Sequence, residues 1–269
     1  MTGNDSGTGA DVSATKIVSV RKKKVPTLYE QDESRYAGPH PWQIQPWAKA
    51  LRRGLRWHAY TRWSNEAFTS VTVAGAEHLE TLDEPCLFIG NHQSHLDTLL
   101  VMAALPEHVR RNLYLGAAQD RWYVRGRKKL VLQPWYQSLA LGNFPILRGG
   151  GKRALAYAAW LLQQGQHVFL FPEGTRATSS ALGEFKHGVS ILALENGVPV
   201  VPMYLDGLKQ LRPKGQRDVV KGAAHATILP PVRFAAGTAV AEATQRLYDL
   251  MSAVHHDRAG LDAAVRRAA

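Results

Sequence analysis

The chain has 269 residues, 45% of them hydrophobic and 20% charged. This size and composition predict one globular core or at most two small domains, and exclude a disordered or fibrous protein. The 33 Lys and Arg outnumber the 22 Asp and Glu, which gives a net charge of +11. That charge favours an anionic partner: nucleic acid, an anionic membrane leaflet or an acidic carrier. The single cysteine, Cys86, excludes a disulfide framework and lies in an apolar run that predicts burial.

Residues 1–40 are rich in Gly, Ser, Thr and Asp and show no apolar period, so they are predicted to form a mobile tail. The tail carries a basic run, Arg21–Lys24, which is either a solvated charge run or a patch that touches a membrane. It lacks the apolar core of a signal peptide. The longest apolar stretches, 154–164 and 191–205, fall short of the roughly 20 continuous apolar residues that cross a bilayer. A cytoplasmic location is therefore expected.

Residues 41–70 are predicted to form an amphipathic helical segment. Large or apolar residues recur at every fourth position, which predicts one apolar side of a helix, at Trp47, Leu51, Leu55, Ala59 and Trp63. Basic residues are predicted on the other side, at Lys49, Arg52, Arg53 and Arg56. Two interpretations stay open: a helix that lies at a membrane surface, and a helix that packs on the domain that follows.

From residue 71 to residue 256, short β-branched runs alternate with helical patterns. The predicted strands cover 71–73, 86–89, 113–115, 144–147, 168–171, 198–204 and 227–229. The predicted helices cover 97–105, 152–164, 189–196 and 240–255, and residues 257–269 are assigned to a C-terminal tail. This alternation predicts an α/β domain with a mostly parallel mixed sheet flanked by helices. Ligands of such folds bind at the carboxyl ends of the strands.

The sequence NHQSHLD, Asn91–Asp97, directly follows a predicted strand. In one continuous helix His92 and Asp97 would point about 140° apart. They can meet if His92 lies in a loop and Asp97 begins the helix. A carboxylate that holds one imidazole nitrogen leaves the other nitrogen free to accept a proton. The pair is therefore a candidate base for a bound alcohol.

Three other interpretations of this segment remain. Ser94 as a nucleophile lacks the G-x-S-x-G context. His92, His95 and Asp97 as metal ligands lack an HExxH-type signature, and no metal is predicted. A purely structural role for the whole cluster is the third, and His95 by itself is expected to be structural or to line the site.

The sequence FPEGTR, Phe171–Arg176, follows another predicted strand. Gly174 allows a sharp turn, after which Thr175 and Arg176 present a hydroxyl and a guanidinium, a combination suited to a phosphate. Lys186, in the FKHG sequence, adds a cation just before a helix whose N-terminus also attracts anions. The structural alternative is a simple turn in which Glu173 pairs with Arg176.

The sequence LGNFPILRGGGKR, Leu141–Arg153, is not a phosphate-binding P-loop, because Arg153 stands where a Ser or Thr would bind magnesium. Arg148, at the end of a predicted strand, is the better candidate for a phosphate-facing cation.

Together these motifs resemble the glycerolipid acyltransferase family, and most closely its 1-acylglycerol-3-phosphate (lysophosphatidate) acyltransferases. NHQSHLD, PILR ending at Arg148, FPEGTR and VPVVPM resemble the four family blocks in family order. FKHG resembles the family's Phe-Lys-x-Gly. The resemblance covers roughly Val71 to Tyr204.

The resemblance implies a reaction and its partners. His92 would take the proton from the acceptor hydroxyl, and Asp97 would orient the imidazole. The implied acceptor-phosphate region consists of Arg148, Glu173, Gly174, Thr175, Arg176 and Lys186. The implied donor is acyl-CoA or acyl carrier protein, the acceptor is lysophosphatidate and the product is phosphatidate, with no cofactor and no nucleic acid. The implied location is the inner face of the cell membrane, where the 41–70 segment would dock as a peripheral element.

The chain also departs from the family pattern. PILR lacks an acidic residue before Arg148, and residues 177–180 lack the second arginine that commonly follows FPEGTR. Another lyso-lipid, such as an aminolipid or glycolipid precursor, is therefore an alternative acceptor. The segment Lys209–Lys221 has no counterpart that the resemblance assigns. The remaining alternative is a non-catalytic basic module that binds membranes or nucleic acid.

Overall fold

The computed structural model describes residues 39–124, 128–177, 181–212 and 218–268. The helices are α1 Pro46–Ala67, α2 Asp97–Ala104, α3 Glu107–Arg110, α4 Gln119–Trp122, α5 Pro134–Leu139, α6 Lys152–Gln163, α7 Gly188–Asn196, α8 Leu208–Leu211 and α9 Val240–Ala268. The strands are β1 Phe68–Ala74, β2 Leu87–Gly90, β3 Leu113–Ala118, β4 Asn143–Ile146, β5 His167–Leu170, β6 Val200–Asp206 and β7 Gly222–Ile228. Short 3-10 helices cover Pro41–Ile44, Ala76–Leu79 and Leu130–Leu132. The α/β class is confirmed.

The seven strands form one mixed sheet in the order β1-β7-β6-β2-β5-β3-β4. Strands β6, β2, β5, β3 and β4 pair in parallel, whereas β7 pairs antiparallel with β6 and parallel with β1. Leu87 of the central strand β2 lies between Val168 of β5 and Val200 of β6. The carboxyl ends of five parallel strands therefore meet at one edge of the sheet, which is where ligands of such folds bind.

The core lies on both faces of the sheet, because successive side chains of a strand point to opposite faces. Leu87 and Ile89 pack with residues of α6, α7 and α9, whereas Phe88 packs with residues of α2 and of the end of α1. Cys86 is fully buried, as expected.

The structure confirms a helix within residues 41–70 but corrects its orientation. Arg52 and Arg56 are 1% and 6% exposed and face the protein, whereas Trp47 and Trp57 are 57% and 73% exposed. A spacing of four residues advances about 40° per step around an α-helix, so the series from Trp47 to Trp63 turns through about 160°. Trp63 accordingly packs against the core while Trp47 does not. The single apolar side predicted for this series was wrong.

One predicted boundary differs from the structure, and several predicted segments lie outside the described residues. Helix α9 continues without a break past residue 257, where a C-terminal tail was predicted to begin. The basic run Arg21–Lys24 lies outside the described residues, as do 178–180 and the 213–217 part of Lys209–Lys221. In the portion of the chain that the structure covers, no helix is both long and apolar enough to span a bilayer.

Candidate active site

The turn between β2 and α2 holds the predicted catalytic pair. His92 lies in the turn and Asp97 begins α2, the arrangement that their spacing required. His92 Nδ1 lies 2.6 Å from Asp97 Oδ2. The backbone N–H groups of Gln93 and Ser94 donate to the same carboxylate at 2.8 and 2.9 Å. Asp97 is completely buried, so this network holds it in a single orientation toward the imidazole.

The electrostatics of the pair favour a proton-accepting Nε2 on His92. Burial raises the pKa of Asp97, and the hydrogen bonds from His92 and from the Ser94 and Gln93 amides oppose that rise. An ionised Asp97 accepts the Nδ1 proton of a neutral His92, which leaves Nε2 as an acceptor. The imidazole stacks on Phe171 with ring centroids 3.9 Å apart and planes 14° from parallel. The hydrogen bond to Asp97 and the stacking on Phe171 together fix the orientation of the His92 ring.

Glu173 stabilises the same turn through a hydrogen bond to its backbone. Its Oε1 accepts the backbone N–H of His92 at 2.8 Å, and its Oε2 accepts that of Gly183 at 3.2 Å. Burial raises the pKa of Glu173, and these two hydrogen bonds oppose the rise. The side chain is 6% exposed and is not among those that line the main cavity. Its expected place in the acceptor-phosphate region stays a prediction, but the observed contacts are those of a residue that positions His92.

Ser94 is placed unfavourably for a nucleophile. It is completely buried, and its hydroxyl donates to the carbonyl oxygen of Arg212 at 3.1 Å. Among the described side chains, no group of three or more His, Cys, Asp or Glu residues is arranged to hold a metal ion.

A cavity of ≈ 690 Å³ opens beside His92 at the carboxyl ends of the parallel strands. Its basic lining residues are Arg121, Arg148, Arg176, Lys186 and Arg212. Its apolar lining residues include Tyr60, Trp63, Leu96, Leu99, Leu115, Ile146, Leu155, Leu170 and Val189. Apolar walls combined with basic groups and a candidate base fit an amphipathic molecule with an anionic group.

The structure brings most of the predicted substrate-binding residues to this cavity. Gly174, Thr175, Arg176, Lys186 and Arg148 all line it. Gly174 has φ +68°, a left-handed conformation, and a Cβ there would lie 3.1 Å from Nζ of Lys186. The turn therefore keeps the lysine close to the FPEGTR backbone.

Arg148 has a partner that its position in the sequence did not indicate. Its guanidinium makes a two-pronged contact with Asp120 of α4, with Nε 3.0 Å from Oδ1 and Nη2 in contact with Oδ2. Part of its charge is therefore already offset within the protein.

The sequence interpretation missed two arginines of the cavity, Arg121 and Arg212. Arg121 follows β3, and Arg212 follows β6 in a segment that had no assigned role. A basic residue shortly after a parallel strand was the available signal, because those ends converge. His95 also lines the cavity, and its Nε2 lies 2.5 Å from Arg121 Nη2.

A family of known proteins matches the part of the chain that carries this site. The family model described as acyltransferase matches residues 70–206, just over half of the chain. The chain belongs to the acyltransferase family. The match includes the His92–Asp97 turn, Arg148 and the FPEGTR turn, but ends before Arg212.

Relatives with this domain include 1-acyl-sn-glycerol-3-phosphate acyltransferases. A chloroplastic enzyme of Brassica napus is 31% identical over 57% of this chain and 42% of its own length. The alpha enzyme of Homo sapiens is 29% identical over 60% of this chain and 54% of its own length. The chain thus matches about half the length of these relatives.

A crystal structure supports the fold of this acyltransferase-family chain. The 1-acyl-sn-glycerophosphate acyltransferase of Thermotoga maritima superposes with a TM-score of 0.60, covering 78% of each chain at 24% identity. The predicted resemblance to the glycerolipid acyltransferases is confirmed.

Proposed function

We propose that the protein is an O-acyltransferase that moves a fatty acyl group from a thioester to the free hydroxyl of lysophosphatidate and so forms phosphatidate. The observation that carries this proposal is the His92–Asp97 pair, 2.6 Å apart, beside a cavity with apolar walls and basic groups. The names of the relatives support the choice of acceptor.

His92 supplies the proton transfers of the proposed reaction. Nε2 takes the proton of the acceptor hydroxyl while its oxygen attacks the thioester carbonyl carbon. Asp97 holds Nδ1–H and stabilises the imidazolium that forms. When the C–S bond of the tetrahedral intermediate breaks, the imidazolium returns the proton to the leaving thiolate. The alcohol thus becomes an ester and the thioester becomes a free thiol.

The proposed donor is acyl-CoA or acyl carrier protein. Both are activated thioesters, so the proposed step draws on side chains alone and calls for no metal or prosthetic group. The apolar walls of the cavity suit the acyl chains, and the basic lining suits phosphate groups of the acceptor and of either donor. The net charge of +11 is then explained by anionic lipids and donors, without nucleic acid.

An assay on an acceptor panel tests this function. Purified protein is supplied with acyl-CoA or acyl carrier protein and with lysophosphatidate, a lyso-aminolipid or a lyso-glycolipid. Wild type should acylate lysophosphatidate, His92→Ala should be at least about 10³-fold slower, and Asp97→Asn should lose a comparable factor. His256→Ala is the matched control, because His256 is exposed on α9 and is absent from the cavity lining.

Each contrary result has a definite meaning. Equal product from wild type and His92→Ala would exclude His92 as the base. Turnover of a lyso-aminolipid or lyso-glycolipid alone would replace the acceptor, an outcome that the Arg148–Asp120 pairing would favour. Covalent labelling by a fluorophosphonate would replace the mechanism with one that uses a serine.

We also propose that the protein acts as a peripheral protein at the inner face of the cell membrane, with the outer face of α1 toward the bilayer. Trp47, Leu51 and Trp57 are exposed on α1, and exposed Trp residues on an amphipathic helix are typical of an interfacial segment. Trp57→Glu should reduce co-sedimentation with anionic vesicles several-fold, whereas Ala241→Glu, at an exposed position of α9, is the control for added charge. Equal sedimentation of both variants would contradict this orientation.

A further inference from the structure

Arg212 lies at the cavity although neither a motif nor the family match includes it. It directly follows α8 and lies six residues beyond the matched region 70–206. Within the described part of the chain its side chain makes no hydrogen bond or ion pair, and its buried Nε has no partner. Arg212 lines the cavity, so an arginine without a partner in the protein has its guanidinium available to an acceptor that a ligand supplies.

The backbone of Arg212 is tied to the catalytic turn. The hydroxyl of Ser94 donates to the carbonyl oxygen of Arg212, while the N–H of Ser94 donates to Asp97. Ser94 is completely buried, so it acts as a fixed link between the two. The position of Arg212 is therefore set relative to the same turn that holds His92.

His95 lines the same cavity as Arg121, Arg176 and Arg212. Burial lowers the pKa of His95 to about 3, and the charges of Arg121, Arg176 and Arg212 contribute in that order. His95 is consequently a neutral imidazole, and its Nε2 can accept a hydrogen bond from Arg121. Three like charges that line one cavity repel each other, and an anion with several acceptor oxygens relieves that repulsion.

Arg148 differs from Arg176 and Arg212 in having a carboxylate partner within the protein. Arg148 already contacts Asp120 through two nitrogens, whereas the side chains of Arg176 and Arg212 have no carboxylate partner among the described residues. Of the described residues, Glu66 is the one carboxylate that lines the cavity, and it pairs with Arg62. A tetrahedral group with three oxygens can accept from several guanidinium forks at once.

We propose that Arg212 is a phosphate-binding residue, and that Arg121, Arg176 and Arg212 form a three-arginine phosphate site around His95. The inference rests on the proposed function and deepens it, because it names residues that recognise a substrate. The phosphate comes either from the phosphomonoester of the acceptor or from the phosphate groups of the thioester donor. The hydrogen bonds of Ser94 to Arg212 and to Asp97 fix the position of this site relative to His92.

Steady-state kinetics distinguishes the two sources. Arg212→Gln should raise one KM by about 10- to 100-fold with kcat changed much less, since a charge-assisted contact to phosphate is lost. A higher KM for lysophosphatidate assigns the site to the acceptor, and a higher KM for acyl-CoA assigns it to the donor. Arg212→Lys keeps the charge without the fork and should fall between wild type and Arg212→Gln. If neither KM rises more than twofold, or kcat alone falls, the inference is wrong.

Lys221→Gln is the matched control, because it removes one positive charge from an exposed position shortly after Arg212. It should leave both KM values unchanged. A rise as large as that of Arg212→Gln would show a general charge effect and overturn the site.

A binding measurement without turnover separates this inference from the proposed reaction. Inorganic phosphate should raise the melting temperature of wild type and of Lys221→Gln, and should raise that of Arg212→Gln much less. An equal rise in all three overturns the site. If lysophosphatidate is not acylated but the phosphate effect depends on Arg212, the proposed function fails and the phosphate site stands. Where Arg212→Gln does not fold, Arg212→Lys carries the same comparison.

Discussion

Two arginine clusters of this protein differ in what their guanidinium groups contact. The first is the buried pair Arg52 and Arg56 on the inner face of α1. The second is the cavity group Arg121, Arg176 and Arg212. In the buried pair, the donors are used within the protein, whereas in the cavity group Arg176 and Arg212 show no bonded partner among the described residues.

The buried pair is bonded mainly to backbone carbonyls. Arg52 donates to the carbonyls of Gln43 and Leu139 and to the Tyr114 hydroxyl. Arg56 donates to the carbonyls of Arg110, Leu113 and Leu141. Burial lowers the pKa of Arg56 to about 10, which still leaves it charged at neutral pH. The contacts of its N–H groups indicate the role of each arginine: the first cluster docks α1 on the protein, whereas the second lines a cavity that can hold a ligand.

The strongest test of the comparison is the removal of one buried guanidinium. Arg56→Met should lower the free energy of unfolding by about 4 kcal/mol, because three buried carbonyls lose a charged donor. Arg53→Met is the control, since the Arg53 side chain is 74% exposed and pairs with the exposed Glu107; it should change stability by less than about 1 kcal/mol. Urea unfolding followed by circular dichroism measures both. Similar losses in the two variants would show that α1 is not docked by Arg56.

A second test uses the pH dependence of stability at His167, whose pKa is influenced by Lys49 of α1. His167 is 7% exposed, its Nδ1 accepts the Cys86 N–H, and burial lowers its pKa to about 4, with smaller contributions from His108 and from Lys49 of α1. A histidine with a lowered folded pKa is stabilising above its unfolded pKa of about 6.5, and this stability is lost as the pH falls toward 4.

Between pH 7.5 and pH 5, wild type should therefore lose about 2 kcal/mol more unfolding free energy than His167→Gln. Denaturant titrations at the two pH values give the difference. A parallel loss in both proteins would mean that His167 is not the group that titrates.

The smallest expected effect concerns Arg148. It shares a feature with each cluster, because it lines the cavity and its guanidinium is bonded within the protein, to Asp120. Asp120→Asn should lower the KM for lysophosphatidate about threefold at low salt, because the charge of Arg148 is no longer offset, and the gain should shrink at high salt. Asp249→Asn, at an exposed position of α9, controls for the loss of one negative charge. An unchanged KM would indicate that Asp120 only orients Arg148.

Local signals in the sequence were sufficient for the alternation of strands and helices and for the His92–Asp97 pair. Asp97 had to begin a helix for the two side chains to meet, and it does. The FPEGTR turn likewise needed only Gly174 and its neighbours. These are short-range relations, within a few residues of one another, so backbone geometry alone constrains them.

Long-range relations could not be predicted in the same way. Glu173 bonds the N–H of His92 across 81 residues, and Arg148 contacts Asp120 across 28. The rotation of α1 that buries Arg52 depends on carbonyls located 87 residues away and more locally at Gln43. No local pattern of charge or hydrophobicity encodes such partners.

The sequence by itself determined the fold class, the candidate base with its orienting carboxylate, and the FPEGTR turn after β5. Only the tertiary structure decided which arginines are structural and which line the cavity. The physical reason is the strand order: β6, β2 and β5 are neighbours in the sheet but not consecutive in the sequence, so Arg212, His92 and Arg176 come to one cavity only once the sheet has formed. Until then, Arg56 and Arg212 are two basic residues among 33.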